Sequence, residues 1–357
     1  MKENGLVFRD VYDEFHGKIR HLSFVVQDGR EIPRVPTELC FADRLGGWKA
    51  RWGLGRMKYS VEPGIYAVGN PDGDSVVLVS SNYKLSFDTL RRELAGLDAW
   101  IMVLDTNGIN VWCAAGKGTF GTDEIVRRIG LVELEKIANH RKIILPQLGA
   151  CGVAAHEVKK RCGFSVIYGP IRACDIIAFI KAGMKATAEM RQVRFSLYDR
   201  LVLTPVEFVT GGKYLLFAMA VLFILSGMSA SGYSSDLAMN DGIRSAVNLF
   251  AAYFGGAVIG PLLLPWLPGR SFSFKGFSVG LIVAAVLFSL RLTGGWLETI
   301  AWIFLIPVVS SFFTMSFTGA STYTSRSGVK KEMRIAVPLQ VAAVILGMGF
   351  WTVGRFV

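Results

Sequence analysis

The residues best suited to chemistry lie in one segment, Asn107-Gly-Ile-Asn-Val-Trp-Cys-Ala-Ala-Gly-Lys-Gly-Thr-Phe-Gly121. It sets a cysteine beside a tryptophan and follows both with small residues and a lysine. Three chemistries compete for it. The first is phosphate binding, because Gly116-Lys-Gly-Thr-Phe-Gly121 has the G-x-G-x-x-G spacing of a dinucleotide turn. That turn is tight, whereas these glycines begin about a dozen residues after the preceding predicted strand. The next predicted strand ends Leu145-Pro146-Gln147, without the acidic residue that would hold a ribose, and a Walker A loop would need glycine where Val111 stands. Nucleotide binding is therefore disfavoured.

The second reading is structural: a free cysteine is often a small buried residue. It is the expectation for Cys40, Cys162 and Cys174, and it extends to Cys151. None of the five cysteines forms a C-x-x-C pair, which argues against a zinc or iron–sulfur site. The third reading makes Cys113 a metal ligand. Ala114, Ala115 and Gly116 would let a bulky flat partner approach the backbone. A short helix around Trp112–Lys117, with Cys113 near its start, would favour the thiolate, and Lys117 would add to that field. For Cys113 the spacing leaves the structural and ligand readings open.

Short β-branched runs alternate with amphipathic stretches around this loop. Val76–Ser80, Trp100–Leu104, Lys142–Leu145 and Ser165–Tyr168 read as strands. Phe87–Leu97, Thr122–His140, Val153–Cys162 and Ala173–Ala186 read as helices, with Thr122 as an N-cap and Asp123 and Glu124 in the first turn. The alternation predicts an α/β domain, a Rossmann-like parallel sheet wrapped by helices. Ligands bind outside the carboxyl ends of such strands. The loops that matter are then 81–86, 105–121, 146–152 and 169–172. Residues 1–70 form a lead-in whose structure the sequence does not decide.

Composition divides the chain. Of 357 residues 52% are hydrophobic and 19% charged, with mean hydropathy +0.41; a disordered chain is excluded. Residues 1–213 carry 30 Lys/Arg and 24 Asp/Glu, whereas residues 214–357 carry 9 and 4. The net charge of +11 is shared between the halves and forms no basic stripe, so no nucleic-acid partner is expected. The first twenty residues lack an apolar core, so no signal peptide is expected.

The second half reads as an all-α transmembrane domain. Five segments approach the length needed to span a bilayer: 214–232, 246–267, 276–292, 296–317 and 335–353. Prolines 261, 265, 307 and 338 predict kinks. Arg270, Lys275, Arg326, Lys330, Lys331 and Arg334 stand on one side against Arg244, Arg291 and Arg355 on the other. The positive-inside rule then puts the N-terminal half in the cytoplasm, in a cell (inner) membrane, and the C-terminus outside. A cytoplasmic domain also disfavours disulfides. The span centres hold no ionisable residue, which favours an anchor or docking platform over a transporter. The expected domains are a lead-in at 1–70, a cytoplasmic ligand-binding domain at 71–205 and a five-helix membrane domain at 206–357.

Asn110-Val-Trp-Cys-Ala-Ala-Gly-Lys117, flanked by Asn82-Tyr-Lys-Leu-Ser-Phe-Asp88 and Gly118-Thr-Phe-Gly-Thr122, resembles the signature of the corrinoid membrane protein of microbial mercury methylation. The soluble domain resembles the corrinoid-binding domain of the corrinoid iron–sulfur protein of acetyl-CoA metabolism. The five-span tail, with its Thr318–Ser325 loop, also resembles that family. The likeness runs from about Lys49 to the C-terminus, with no departure from the signature; the first 45 residues match nothing.

The resemblance implies that Cys113 is the lower axial ligand of cobalt in a base-off cobalamin or related corrinoid. Asn110, Val111, Trp112, Ala114, Ala115, Gly116 and Lys117 would cap the ring. Asn82, Tyr83, Gln147, Gly149, Gly152, Gly169 and Pro170 would hold its rim and tail. The histidine motif D-x-H-x-x-G of other corrinoid proteins is absent from the sequence. The implied activity is methyl transfer from a methylcobalamin-type cofactor to inorganic Hg(II). Because Hg(II) is an electrophile, the methyl group should depart as a carbanion equivalent or, less readily, as a radical. A donating thiolate favours the oxidised metal left behind. Implied partners are a small ferredoxin with two 4Fe–4S clusters, a methyltetrahydrofolate-type donor acting through a separate methyltransferase, and membrane lipid. The segment Thr318–Arg334 is the expected ferredoxin contact. The alternatives are a membrane-bound corrinoid methyltransferase with another acceptor, or a transporter with a cofactor-sensing domain.

Overall fold

The computed structural model describes residues 6–13, 18–320 and 326–357, with side chains over 23–318 and 327–357. The chain forms two compact units: Met1–Ala50 with Leu54–Val193, and Arg51–Gly53 with Arg194–Val357. The expected boundary at 205/206 falls inside a helix that begins at Leu197.

The first unit is built on an eight-stranded sheet. In chain order its elements are β1 (Leu6–Asp13), β2 (Lys18–Gln27), β3 (Arg30–Arg34), α1 (Phe41–Arg51), β4 (Gly64–Val68), β5 (Val76–Ser81), α2 (Lys84–Arg92), β6 (Ala99–Leu104), α3 (Val111–Lys117), α4 (Thr122–Leu131), α5 (Leu134–Ile137), β7 (Lys142–Leu145), α6 (Ala155–Cys162), β8 (Ser165–Tyr168) and α7 (Ile176–Lys181). The sheet order is β1-β2-β3-β4-β6-β5-β7-β8.

The expected parallel block is present in β6, β5, β7 and β8, and β3 also pairs parallel with β4. β4 runs antiparallel to β6, and β1–β2–β3 is an antiparallel meander. The sheet is therefore mixed. The described residues of the undecided first seventy supply its other half. A two-residue turn, Asp28-Gly29, with both residues at positive φ, joins β2 to β3. Such a turn matches strand twist, and its Asp-Gly pair was legible.

β5, β6 and β7 are buried on both faces, as parallel strands under helices must be. Val77, Val79, Trp100, Met102, Ile143 and Leu145 meet Phe120, Ile125, Ile129 and Val158 on one side. Leu78, Ile101, Val103 and Ile144 meet Phe87, Leu94, Ile176 and Phe179 on the other. Within the parallel block, the chain leaves β5 for β6 on one flank, then crosses back to β7 on the other. That reversal makes a switch point at the carboxyl end of β5, the place where open α/β sheets form a ligand crevice.

The second unit contains α8 (Leu197–Ser226), a β9–β10 hairpin (Met228–Ser229 and Gly232–Tyr233), α9 (Ser235–Phe254) and α10 (Gly260–Leu263), then α11 (Phe272–Ser289), α12 (Trp296–Ser316) and α13 (Arg326–Val353). A π-helical segment, Gly255–Ile259, makes α9 and α10 continuous. It absorbs the misfit of Pro261, because a wider turn frees the carbonyl that proline cannot serve. Among the described residues five helices are long and apolar enough to cross a membrane. The first begins well before the expected 214, at Leu197, where Ser196 and Asp199 form a reciprocal capping box.

Small residues bring these helices together. A Cβ on Gly256 would lie 2.5 Å from Ser310 O, and one on Gly276 would lie 2.6 Å from the same oxygen. Ser310 donates to Ala252 O at 2.6 Å, and Thr314 donates to Gly256 O at 2.9 Å. Close backbones and hydroxyl bonds are the association forces available in lipid. Arg244 and Arg355, counted among the loop charges, are paired with Asp241 and Glu298. Part of the expected contact loop Thr318–Arg334, residues 321–325, lies outside the described residues, as do 1–5 and 14–17 of the lead-in.

Candidate functional site

The loop after β6 is held from below. Asn82, one residue beyond β5 and buried, turns its Oδ1 to the amides of Thr106 and Gly108, at 3.1 and 3.0 Å. Thr106 Oγ1 lies 2.8 Å from the same oxygen and 2.7 Å from Ile109 O. Asp105 Oδ1 accepts from Asn107 N at 3.1 Å, making the turn in which Asn107 and Gly108 both take positive φ. Asn107 tolerates that region, and Gly108 sits under Met57 O, which a Cβ would meet at 3.2 Å.

Glu124 closes the loop from the other side. Its Oε1 accepts from Asp105 N at 2.9 Å and from Arg128 at 2.7 Å, and its Oε2 accepts from Arg127 at 2.8 Å. Burial alone would raise this carboxyl. The Asp105 amide and the two guanidiniums outweigh burial and hold it below the ordinary glutamate value.

From this base the chain enters α3. Asn110 is its N-cap, accepting from Cys113 N at 2.9 Å. Ala114 and Ala115 face inward and are buried; Trp112, Cys113, Gly116 and Lys117 face outward and are exposed, Trp112 by 43%. Gly118, at φ 86°, ends the helix by donating to Ala114 O and Ala115 O, and Gly121 starts α4. The G-x-G-x-x-G spacing thus serves two helix ends. Thr122, expected as the cap of α4, is its first residue instead, and its Oγ1 accepts from Ala154 N at 2.9 Å.

α3 lies against the end of β5 and the turn Gln147–Gly149 after β7, above the switch point. Gly149 and Gly152 permit this closeness. A Cβ on Gly149 would lie 2.5 Å from the Phe120 ring, and one on Gly152 would strike Phe120 O and lie 3.0 Å from Ala115 Cα. Gln147 accepts from Arg191, and its amide donates to Pro170 O at 3.4 Å. Gly169 N donates to Leu145 O at 2.8 Å, with its Cα close to Ile144. Tyr83 is buried, N-caps α2, and carries Arg56 over its ring at 5.8 Å.

The predicted residues therefore gather at one end of the sheet in two layers. Trp112, Cys113, Gly116 and Lys117 face out. Asn82, Tyr83, Gly149, Gly152, Gly169 and Pro170 lie beneath or behind them, engaged with the protein's own atoms.

Sequence reasoning missed Thr106, Asp105 and Glu124 as loop supports; Glu124 was assigned only to the dipole of α4. It also missed a buried four-charge network. Lys84 Nζ lies 2.7 Å from both Asp43 and Asp88, and Arg91 lies 2.8 Å from each. Tyr59 donates to Asp43 O at 3.2 Å beside it. The i, i+4 pairing of Lys84 with Asp88 was a usable signal.

The structural expectation fails for three cysteines: Cys40, Cys151 and Cys174 are exposed, and only Cys162 is partly buried. Cys113, Cys151 and Cys174 follow β6, β7 and β8 respectively, and loops are where exposed residues collect. Among the described residues no group of three or more His, Cys, Asp and Glu side chains is arranged to hold a metal ion. Cys113 thus offers a single exposed donor, which suits a metal that arrives with its other ligands.

Residues 55–180 match the family model of the CO dehydrogenase/acetyl-CoA synthase delta subunit. The acetyl-CoA decarbonylase/synthase complex subunit gamma of Methanopyrus kandleri is 29% identical over 128 residues, 35% of this chain and 27% of that protein. The corresponding subunit of Archaeoglobus fulgidus is 30% identical over 118 residues, 32% and 25% of the two chains. The corrinoid/iron-sulfur protein large subunit of Moorella thermoacetica is 28% identical over 126 residues, 35% and 28% of the two. Each aligned segment spans about a quarter of the relative's length. The family match contains the Cys113 loop and ends before α8.

Proposed function

We propose that this chain is a membrane-anchored corrinoid methyltransferase that transfers a methyl group to inorganic Hg(II), giving methylmercury, with Cys113 as the lower axial ligand of cobalt. The observation that carries the proposal is the exposed thiol of Cys113 in the first turn of α3, at the switch point of a sheet whose sequence is similar to a corrinoid/iron-sulfur protein subunit.

The residues present fit a corrinoid bound base-off. The only protein donor such a group needs from below is one side chain, and Cys113 is outward on a helix with small neighbours. When bound, the corrinoid supplies the methyl group and the cobalt redox chemistry. Cys113 supplies an anionic sulfur donor. Asn110 fixes the start of α3 and with it the position of the thiol. Ala114 and Ala115 seat the helix on the protein, leaving Trp112, Gly116 and Lys117 as the outward cap. Asn82, Gly149 and Gly152 position that cap from below, and Gln147, Gly169 and Pro170 join the neighbouring loops into one rim. Tyr83 anchors the loop after β5.

As a thiolate, Cys113 would favour an oxidised metal, and so suits a corrinoid that would supply methyl to an electrophile. The chain then needs an external two-electron source. A small ferredoxin with two 4Fe–4S clusters fills that part, and a methyltetrahydrofolate-type donor restores the methyl group through a separate methyltransferase. The orientation proposed is the soluble unit in the cytoplasm and the C-terminus outside an inner membrane.

The test is methylmercury formation by the full chain loaded with a methylated corrinoid, with Hg(II), a thiol and a thioether compared as acceptors. The proposal expects transfer to Hg(II), lost in Cys113→Ala and impaired in Cys113→His. Transfer to another acceptor with none to Hg(II) would overturn the acceptor; undiminished mercury methylation by loaded Cys113→His would overturn the role of the thiolate.

A further inference from the structure

Helix α1 is amphipathic in the reverse of the usual sense. Its inward residues are Asp43, Gly47 and Ala50. Gly46 sits so close to Tyr59 that a Cβ would lie 2.6 Å from its hydroxyl. Asp43 is tied to Lys84 and Arg91 at 2.7 and 2.8 Å, so the small and polar face is anchored. The large apolar residues point away. Phe41 is 76% exposed and Trp48 64%, with Leu45 between them on the same face. Leu54 and Met57, 58% and 68% exposed, extend the patch past the helix. Isolated exposed apolar side chains are ordinary, but a contiguous group of this kind marks an interaction surface.

Charge identifies what covers it. From residue 41 to residue 58 the only acidic side chain is Asp43, which is buried. The cations Arg44, Lys49 and Lys58 are exposed around the apolar residues, and Arg56 is half-buried beside them. Glu38 and Glu62 lie outside the segment at its two ends. Tryptophan and phenylalanine rimmed by lysine and arginine are the composition of a helix lying in a bilayer interface, apolar face among acyl chains and cations at anionic headgroups. The same chain carries five helices fit to cross a membrane. A bilayer is thus always within reach, and a surface too small to bind one from solution can still engage it.

We propose that the outward face of α1, with Leu54 and Met57, is a lipid-binding surface that lies in the interface of an anionic phospholipid bilayer. The segment adjoins the candidate site, because a Cβ on Gly108 would lie 3.2 Å from Met57 O, so lipid engagement would bear directly on the loop that leads to Cys113.

The test uses the full chain in nanodiscs of phosphatidylcholine, with and without phosphatidylglycerol, made with ordinary or bromine-labelled acyl chains. The difference in emission between wild type and Trp48→Phe isolates Trp48. The proposal expects that difference signal to be quenched by brominated chains in anionic discs and shielded from aqueous iodide. It also expects weaker quenching in zwitterionic discs, in high salt, and in the double variant Arg44→Glu/Lys49→Glu. A Trp48 signal open to iodide and untouched by brominated lipid would overturn it. Protection from both quenchers would equally overturn it, by showing that a protein surface covers the face.

Discussion

The two units use buried polar groups for opposite ends. In the membrane unit, Ser310, Thr314 and the Gln340–Ser311 pair bond across helices and draw backbones together. These polar atoms face inward. In the first unit, Asn82, Thr106 and Glu124 bond to the amides and carbonyls of one loop and lift α3 to the surface, with Trp112, Cys113 and Lys117 outward. The difference follows from the solvent. Lipid supplies no partner for a freed backbone group, so helices must satisfy one another. Water tolerates an exposed loop, and side chains can be used to shape it.

The comparison breaks most severely where a buried charge loses its partner. Lys84→Met leaves Asp43 and Asp88 sharing Arg91 alone, one buried carboxylate in excess, and should cost about 3–5 kcal/mol, the range for breaking a buried ion pair. Denaturant titration of the purified protein, read by soluble-unit fluorescence, measures it. The same network predicts acid sensitivity. Burial alone would raise the Asp43 carboxyl, but Lys84, the Cys40 contact and Arg91 together hold it well below the usual carboxylate range. A folded pKa below the unfolded one stabilises fully above the unfolded value of about 4. That stabilisation is lost as pH falls through the folded value. Unfolding midpoints should therefore decline below about pH 4, less steeply in Asp43→Asn.

Gly256→Leu tests the other unit. Its side chain would meet Ser310 backbone atoms at 2.5–2.6 Å, and overpacking of this kind costs about 1–3 kcal/mol or more. Thermal aggregation in detergent should shift while corrinoid binding by the folded fraction does not. Asn82→Ala should do the reverse. It strips an acceptor from two buried amides, at about 1–3 kcal/mol, and should weaken corrinoid binding in titrations while leaving the membrane unit's melting unchanged. Asn110→Ala removes one N-cap, worth about 1 kcal/mol. It should loosen α3 enough to raise hydrogen exchange over 111–117, with Cys113 still present.

Much of the first unit was legible because its parallel strands are apolar runs divided by turn residues, and β5 to β8 lie where the pattern puts them. Residues 1–70 were not, because β3 joins β4 and β4 joins β6 across about thirty residues of sequence, and period alone does not show which edge a strand joins. At the site, a short helix with Cys113 near its start could be read from local spacing. The supports could not. Asn82 reaches Gly108 across twenty-six positions and Glu124 reaches Asp105 across nineteen, contacts that only the fold creates. The exposed Cys40, Cys151 and Cys174 were misread for the same reason: composition carries no information on which side of a loop faces water. The onset of α8 was missed because hydropathy marks the apolar stretch, whereas the Ser196 cap marks the helix.

The central claim is that Cys113 ligates cobalt, and the most direct test is the ultraviolet–visible spectrum of the full chain reconstituted with cobalamin, beside Cys113→Ala. The account predicts a base-off spectrum with a distinct axial-ligand signature in the wild type, absent from a variant that still retains corrinoid. Identical spectra from the two loaded proteins, or no corrinoid bound by the wild type, would contradict it.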